Sequence, residues 1–87
     1  MISIEDCIAM CGLTREEVDA IAEHEHIDEI AAAALANYLM GREGGPQKIR
    51  EMIQDDISAA LAHRDKDHAR ELLMALRHFM HAHPESV

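Results

Sequence analysis

Leu13-Thr14-Arg15-Glu16-Glu17-Val18 is the stretch on which the fold turns. Thr14 and Glu17 have the spacing of a capping box, in which hydroxyl and carboxylate each satisfy the other residue's free backbone N–H; Leu13 and Val18 occupy the positions of a hydrophobic staple. A helix therefore begins at Arg15. Neither glycine nor proline follows before Gly41, so the pattern predicts helix over 15–40, with Asp28 as the point near which it bends or restarts.

Working outward, Ser3 reads as an N-cap followed by Glu5 and Asp6 in the first turn, where carboxylates complement the helix dipole. Gly12 supplies a left-handed stop, which bounds a first helix over 4–11 with Ile4, Cys7, Ile8 and Cys11 on its apolar face. On the other side, Gly41 to Gly45 break the long helix and Pro46 suits the first turn of the next. Ile49, Met52, Ile53, Ile57, Ala60 and Leu61 recur at helical spacing over 46–63. Asp65 or Asp67 caps a last helix over 67–82 that carries Ala69, Leu72, Leu73, Leu76, Phe79 and Met80. Pro84 closes it, and the residues beyond are expected to fray. The short link around Asp65 makes the last two helices an antiparallel αα-hairpin.

Composition agrees with this reading. Hydrophobic residues are 48% of the chain and aromatics 2%, so the core must be Ala, Leu, Ile and Met, a set that favours close-packed helices over sheets. The 87 residues are expected to form a single all-α domain, a compact four- to five-helix bundle with a C-terminal antiparallel αα-hairpin. No internal repeat extends the hairpin into an array.

Seventeen acidic against eight basic residues give a formal charge of -9, which disfavours nucleic acid and anionic membrane surfaces as partners. No apolar run has the length of a membrane span, and Met1-Ile2-Ser3-Ile4-Glu5-Asp6 lacks the basic start of a signal peptide, so a cytoplasmic location is expected. Cys7 and Cys11 read as thiols in the core stripe of the first helix; with Met10 they lack the further soft ligand that a metal site needs. Ile8, Gly12, Leu13, Val18 and Ile21 have helix-turn-helix spacing, but Arg15, Glu16, Glu17, Asp19 and Glu23 would set carboxylates against phosphates, so the segment reads as a plain helical corner. Ser3, Ser58 and Ser86 lie in no nucleophile-elbow sequence, and Gly44-Gly45-Pro46 opens no phosphate loop. Enzymatic hydrolysis is not expected.

The remaining feature is Ala22-Glu23-His24-Glu25-His26-Ile27-Asp28-Glu29. On a continuous helix Glu25 and Asp28 interrupt the stripe of Val18, Ile21 and Leu35, while Glu23 and His26 project beside Ile27, Ile30 and Ala34. That projection predicts apolar cover on both sides. Asp56 likewise falls on the stripe of Ile49, Ile53 and Ala60, with Asp55 beside it. Carboxylates and imidazoles on apolar faces must be paired or bound to a metal, which makes Glu23, His26, Glu25 and Asp56 a candidate ligand set for iron, manganese or zinc. The competing reading leaves Glu23, His24, Glu25, His26 and Glu29 in water, as the polar rim of an assembly helix.

Glu23-x-x-His26 resembles the Glu-x-x-His element of ferritin-like di-iron bundles, and the resemblance covers those four residues only. It implies further carboxylates and a second copy of the motif, which a homodimer would supply; the nearest echo in the chain is Asp65-x-x-His68, where Asp65 is better explained as a cap. Over most of the chain, Cys11-Gly12-Leu13, Ile21 to Ile27 and Glu29 to Leu35 resemble small uncharacterised helical proteins of proteobacteria, in which the position of Asp28 is often proline. That resemblance implies a compact bacterial domain and no particular chemistry. His78, His81 and His83 read as an exposed helix end able to hold copper, nickel or zinc weakly. The function expected from the whole is a non-enzymatic protein-interaction or homo-oligomeric assembly module; the alternative is a carboxylate–histidine metal protein with its site on the second helix, completed by the third helix or a dimer partner.

Overall fold

A computed structural model describes residues 3–87. Both predicted N-terminal caps form. Ser3 Oγ accepts the Asp6 N–H at 3.1 Å while Asp6 returns the bond to the Ser3 N–H, and α1 runs Ile4–Cys11 to a left-handed Gly12. Thr14 and Glu17 close the second box, with Thr14 N–H on Glu17 Oε1 at 2.9 Å, and α2 runs Arg15–Glu25.

The long helix predicted over 15–40 is two helices. His26 adopts the left-handed conformation at φ 57°, and both it and Ile27 direct their N–H groups to the Ala22 carbonyl. Asp28 then caps α3, Glu29–Met40, by accepting the Ala31 N–H at 2.8 Å. Breaking the helix tucks Ile27 against the core and turns α3 back across α1, α2 and α4, so that Ala32, Ala33 and Ala36 are buried. Short side chains permit that close approach.

Gly44, left-handed at φ 80°, leads into α4, Gly45–Ala62. A Cβ on Gly45 would lie 1.6 Å from the Leu39 carbonyl oxygen, so the start of α4 sits directly on the end of α3. Arg64, left-handed at φ 58°, makes the tight corner before Asp65 caps α5, Lys66–Ala82. Among the described residues, the hairpin of α4 and α5 is the most extensive helix pairing. Val18 and Ile21 of α2, Ala36 of α3, Ile49 and Ile53 of α4 and Phe79 of α5 fill the core of an all-α bundle, with five α-helices among the described residues.

The chain end is not frayed. A 3-10 turn, Pro84–Ser86, docks on α4: Arg50 Nε donates to the Ser86 carbonyl at 2.7 Å, Gln47 donates to that of Glu85, and Ser86 is fully buried. His83 stacks on Phe79 with ring centroids 4.9 Å apart. The contacts of Gln47 and Arg50 with the chain end lie 38 and 36 residues apart in sequence, and no helical pattern announces them.

Candidate functional site

Glu23, Glu25 and Asp56 of the sequence-derived ligand set lie in one region, but their imidazole neighbours are not His26. His26 sits at the left-handed corner, exposed, and its turn removes it from the helical register that pairs it with Glu23. Glu23 instead meets an imidazole from α5, with His68 Nε2 at 2.5 Å from Glu23 Oε1. Glu25 holds His24 Nδ1 at 2.7 Å, and the other ring nitrogen of His24 reaches Asp55 Oδ2 on α4 at 3.1 Å. The apolar cover predicted on both sides of the cluster is absent at Glu23, Glu25 and His26, all of which are exposed.

Asp56 lies beneath these pairs and is only 5% exposed, with Oδ2 lacking a hydrogen-bond partner. Burial raises its pKa from 3.8 to about 6; Glu23 and Asp55 push the same way, while His24 and His68 oppose them. Burial pulls His24 downward, but its bonds to Glu25 and Asp55 outweigh this and raise its pKa. His68 is raised first of all by its bond to Glu23. Glu23 is thus committed to His68, and Glu25 and Asp55 share His24, while Asp56 Oδ2 stays without a partner. Among the described residues no three His, Cys, Asp or Glu side chains are arranged to hold a metal ion.

His68 and Asp55 are the partners that helical projection understated. A projection along one helix shows which residues share a face but not which residue a second helix brings opposite. Glu17 carries a similar hidden contact. One oxygen closes the capping box, and the other holds His78 Nδ1 of α5 at 2.7 Å, with the Glu17 side chain 1% exposed.

A second surface is apolar. α3 is apolar on nearly every side, a pattern expected of a helix covered all round. One side is buried as expected, yet the opposite stripe of Ile30, Ala31, Ala34, Asn37 and Tyr38 is exposed, Ile30 to 61%. Met10 of α1, 69% exposed, stands beside it, and Met10, Cys7, Ile30 and Ala34 border a cleft of about 170 Å³ between the two helices. Arg42 donates to the Tyr38 hydroxyl and lies over its ring at 5.1 Å, fixing the far end of the stripe. At the near end, Arg15 grips Glu29 with two bonds of 2.8 Å, and this bond holds the Glu29 carboxyl below its usual pKa.

The cleft between α2 and α5 has a different character. It encloses about 480 Å³ over an apolar floor of Ala20, Leu72 and Ala75, but Glu16, Asp19, Glu23 and Glu71 rim it. Burial raises Asp19 to about 6, and its bond with Glu29 adds to the shift. No helix among the described residues is long and apolar enough to cross a membrane. Comparison of the chain with protein-family models, curated proteins and solved structures finds no match.

Proposed function

We propose that this chain is a non-enzymatic assembly module that pairs with a second copy of itself through the outer stripe of α3, flanked by Met10. The exposed side of a helix that is apolar all round carries this reading. Charge selects the surface. Each copy bears -9, so two copies approach with least repulsion where neither presents charge, and α3 has no charged residue after Glu29 until Arg42. The acid-rimmed cleft of α2 and α5 is the wrong surface for self-association.

A two-fold axis at Ala34 sets the helices antiparallel, with Ile30 opposite the partner's Tyr38 and the Arg42 end of one helix near the acidic start of the other. Ala31 and Ala34 permit close approach of the backbones. Glu23, His24, Glu25 and His26 lie away from this stripe, on or just beyond α2, and take up water and pairwise bonds. The carboxylate–imidazole metal reading has less support, because Glu23 and Glu25 already hold the imidazoles of His68 and His24. A cytoplasmic setting fits the two thiols, of which Cys11 donates to the Ile8 carbonyl inside the core.

Light scattering over a range of protein concentration tests the proposal. A mass of twice 9.7 kDa is expected, falling towards the monomer on dilution. Ile30→Glu is expected to weaken the dimer at least about 100-fold, because each copy would bury an unpaired carboxylate against the partner's Tyr38. Its effect on the fold should stay within about 0.5 kcal/mol, since the position is exposed in the single chain. A wild-type protein that stays monomeric throughout contradicts the proposal.

A further inference from the structure

The outer face of α5 carries a second unassigned constellation, independent of the assembly face. Met74, His78 and His81 fall at positions i, i+4 and i+7, one stripe of the helix, and with Arg77 and Met80 they line an open cleft of about 540 Å³. Met74 is 64% exposed, so its thioether is not consumed in core packing. His78 is also outward, with its side chain 59% exposed, although its Nδ1 is anchored inward on the buried Glu17 carboxylate at 2.7 Å. That contact is the decisive one. A carboxylate accepts only from a protonated nitrogen, so Nδ1 carries a hydrogen, and in the neutral imidazole this leaves the Nε2 lone pair for a metal, the arrangement by which proteins orient a histidine ligand.

The geometry points to a copper(I) site on α5, formed by His78 Nε2, the His81 imidazole and the Met74 thioether, with Glu17 as the positioning residue behind His78. Ligand softness sets the metal: a thioether with two imidazoles suits copper(I) better than zinc or a hard dication. Arg77 in the same cleft adds a fixed positive charge, which penalises a dication about twice as heavily as a monovalent ion. Met80, half-buried against the core, borders the site with a second thioether.

Anaerobic titration of the full chain with copper(I), followed by NMR of the methionine methyl groups and histidine ring nitrogens, tests the site residue by residue. One equivalent is expected to shift the Met74 methyl and the His78 and His81 rings, with His78 metallated at Nε2 and still protonated at Nδ1. Competition against a copper(I) chelator should show affinity falling at least about 10-fold in Met74→Leu and in His81→Gln, both outward positions whose replacement leaves the core intact. Glu17→Gln should lower affinity about 10-fold and remove the Nδ1–H signature, while leaving Met74 and His81 in place. Shifts confined to Cys7 and Cys11, or unchanged affinity in Met74→Leu and His81→Gln, overturn the proposal.

Discussion

Gly45→Ala is expected to destabilise the protein by about 3 kcal/mol or more, because the added Cβ would lie 1.6 Å from the Leu39 carbonyl oxygen and 2.5 Å from its carbon. Both obstacles are backbone, so no side chain can swing aside. The end of α3 and the start of α4 must move apart, which also disturbs the buried Pro46. In a domain of this size such a loss lowers Tm by roughly 12–24 °C. Gly41→Ala is the matched control: its Cβ would meet the Tyr38 carbonyl oxygen at 3.7 Å, an ordinary contact, with φ at -89°. That variant should be neutral or gain a few tenths of a kcal/mol through the unfolded chain. Thermal unfolding of the two variants decides the matter, and equal Tm values would show that α3 and α4 do not meet at Gly45.

Asp56→Asn is expected to stabilise the protein above about pH 6, by up to about 3 kcal/mol, since a rise from 3.8 to about 6 is roughly two pKa units at 1.36 kcal/mol each. The folded pKa exceeds the unfolded one, so the fold binds this proton more tightly than the unfolded chain does. The stabilisation it gives is complete below about pH 4 and is lost as pH rises through about 6. His24 and His68, also raised, add stability below 6.5 that is lost as pH rises through their folded values. All three slopes have the same sign. The wild type should therefore lose stability between about pH 5 and neutrality, where removal of Asp56 flattens the profile; Glu29, lowered by Arg15, opposes this only as pH falls towards and below 4.5. Urea unfolding at pH 5 and pH 8 measures the difference, and an Asp56→Asn gain equal at both values would remove ionisation as its cause.

The parts of the fold legible in the sequence were those fixed within one turn of helix. Ser3 and Thr14 cap where their spacing to Asp6 and Glu17 requires, Gly12 ends α1, and Asp65 starts α5 within one residue of the predicted boundary. Asp28 caps a helix as a restart at that point requires, but the break before it falls on His26 and Ile27, neither of which is a helix breaker by type. What decides the break is the burial that α3 gains by folding back across α1 and α4. A histidine accepts the left-handed conformation more readily than a branched residue does, which makes the corner affordable there.

The site was less legible for the same reason. Glu23, Glu25 and Asp56 do lie in one region, but their imidazole partners are His68, from α5, and the neighbouring His24 rather than His26. Glu17 shows how one carboxylate can satisfy a local rule and a distant contact together, since its capping role is written in the sequence and its bond to His78 is not. The apolar stripe of α3 was hidden by reading 15–40 as one helix. Once the chain turns at His26, the face beginning at Ile30 no longer continues the face of Glu23, and it points outward with no charge of its own.

An isotope-filtered NMR experiment on a mixture of labelled and unlabelled chains tests self-assembly through that stripe. Ile30 and Tyr38 are eight residues apart on α3, about 12 Å at 1.5 Å per residue, too far for a strong contact within one chain. The antiparallel dimer predicts cross-peaks between the Ile30 methyl groups of one chain and the Tyr38 ring of its partner. Their absence in a protein that is dimeric by mass, or intermolecular contacts confined to the acid-rimmed cleft of α2 and α5, would contradict it.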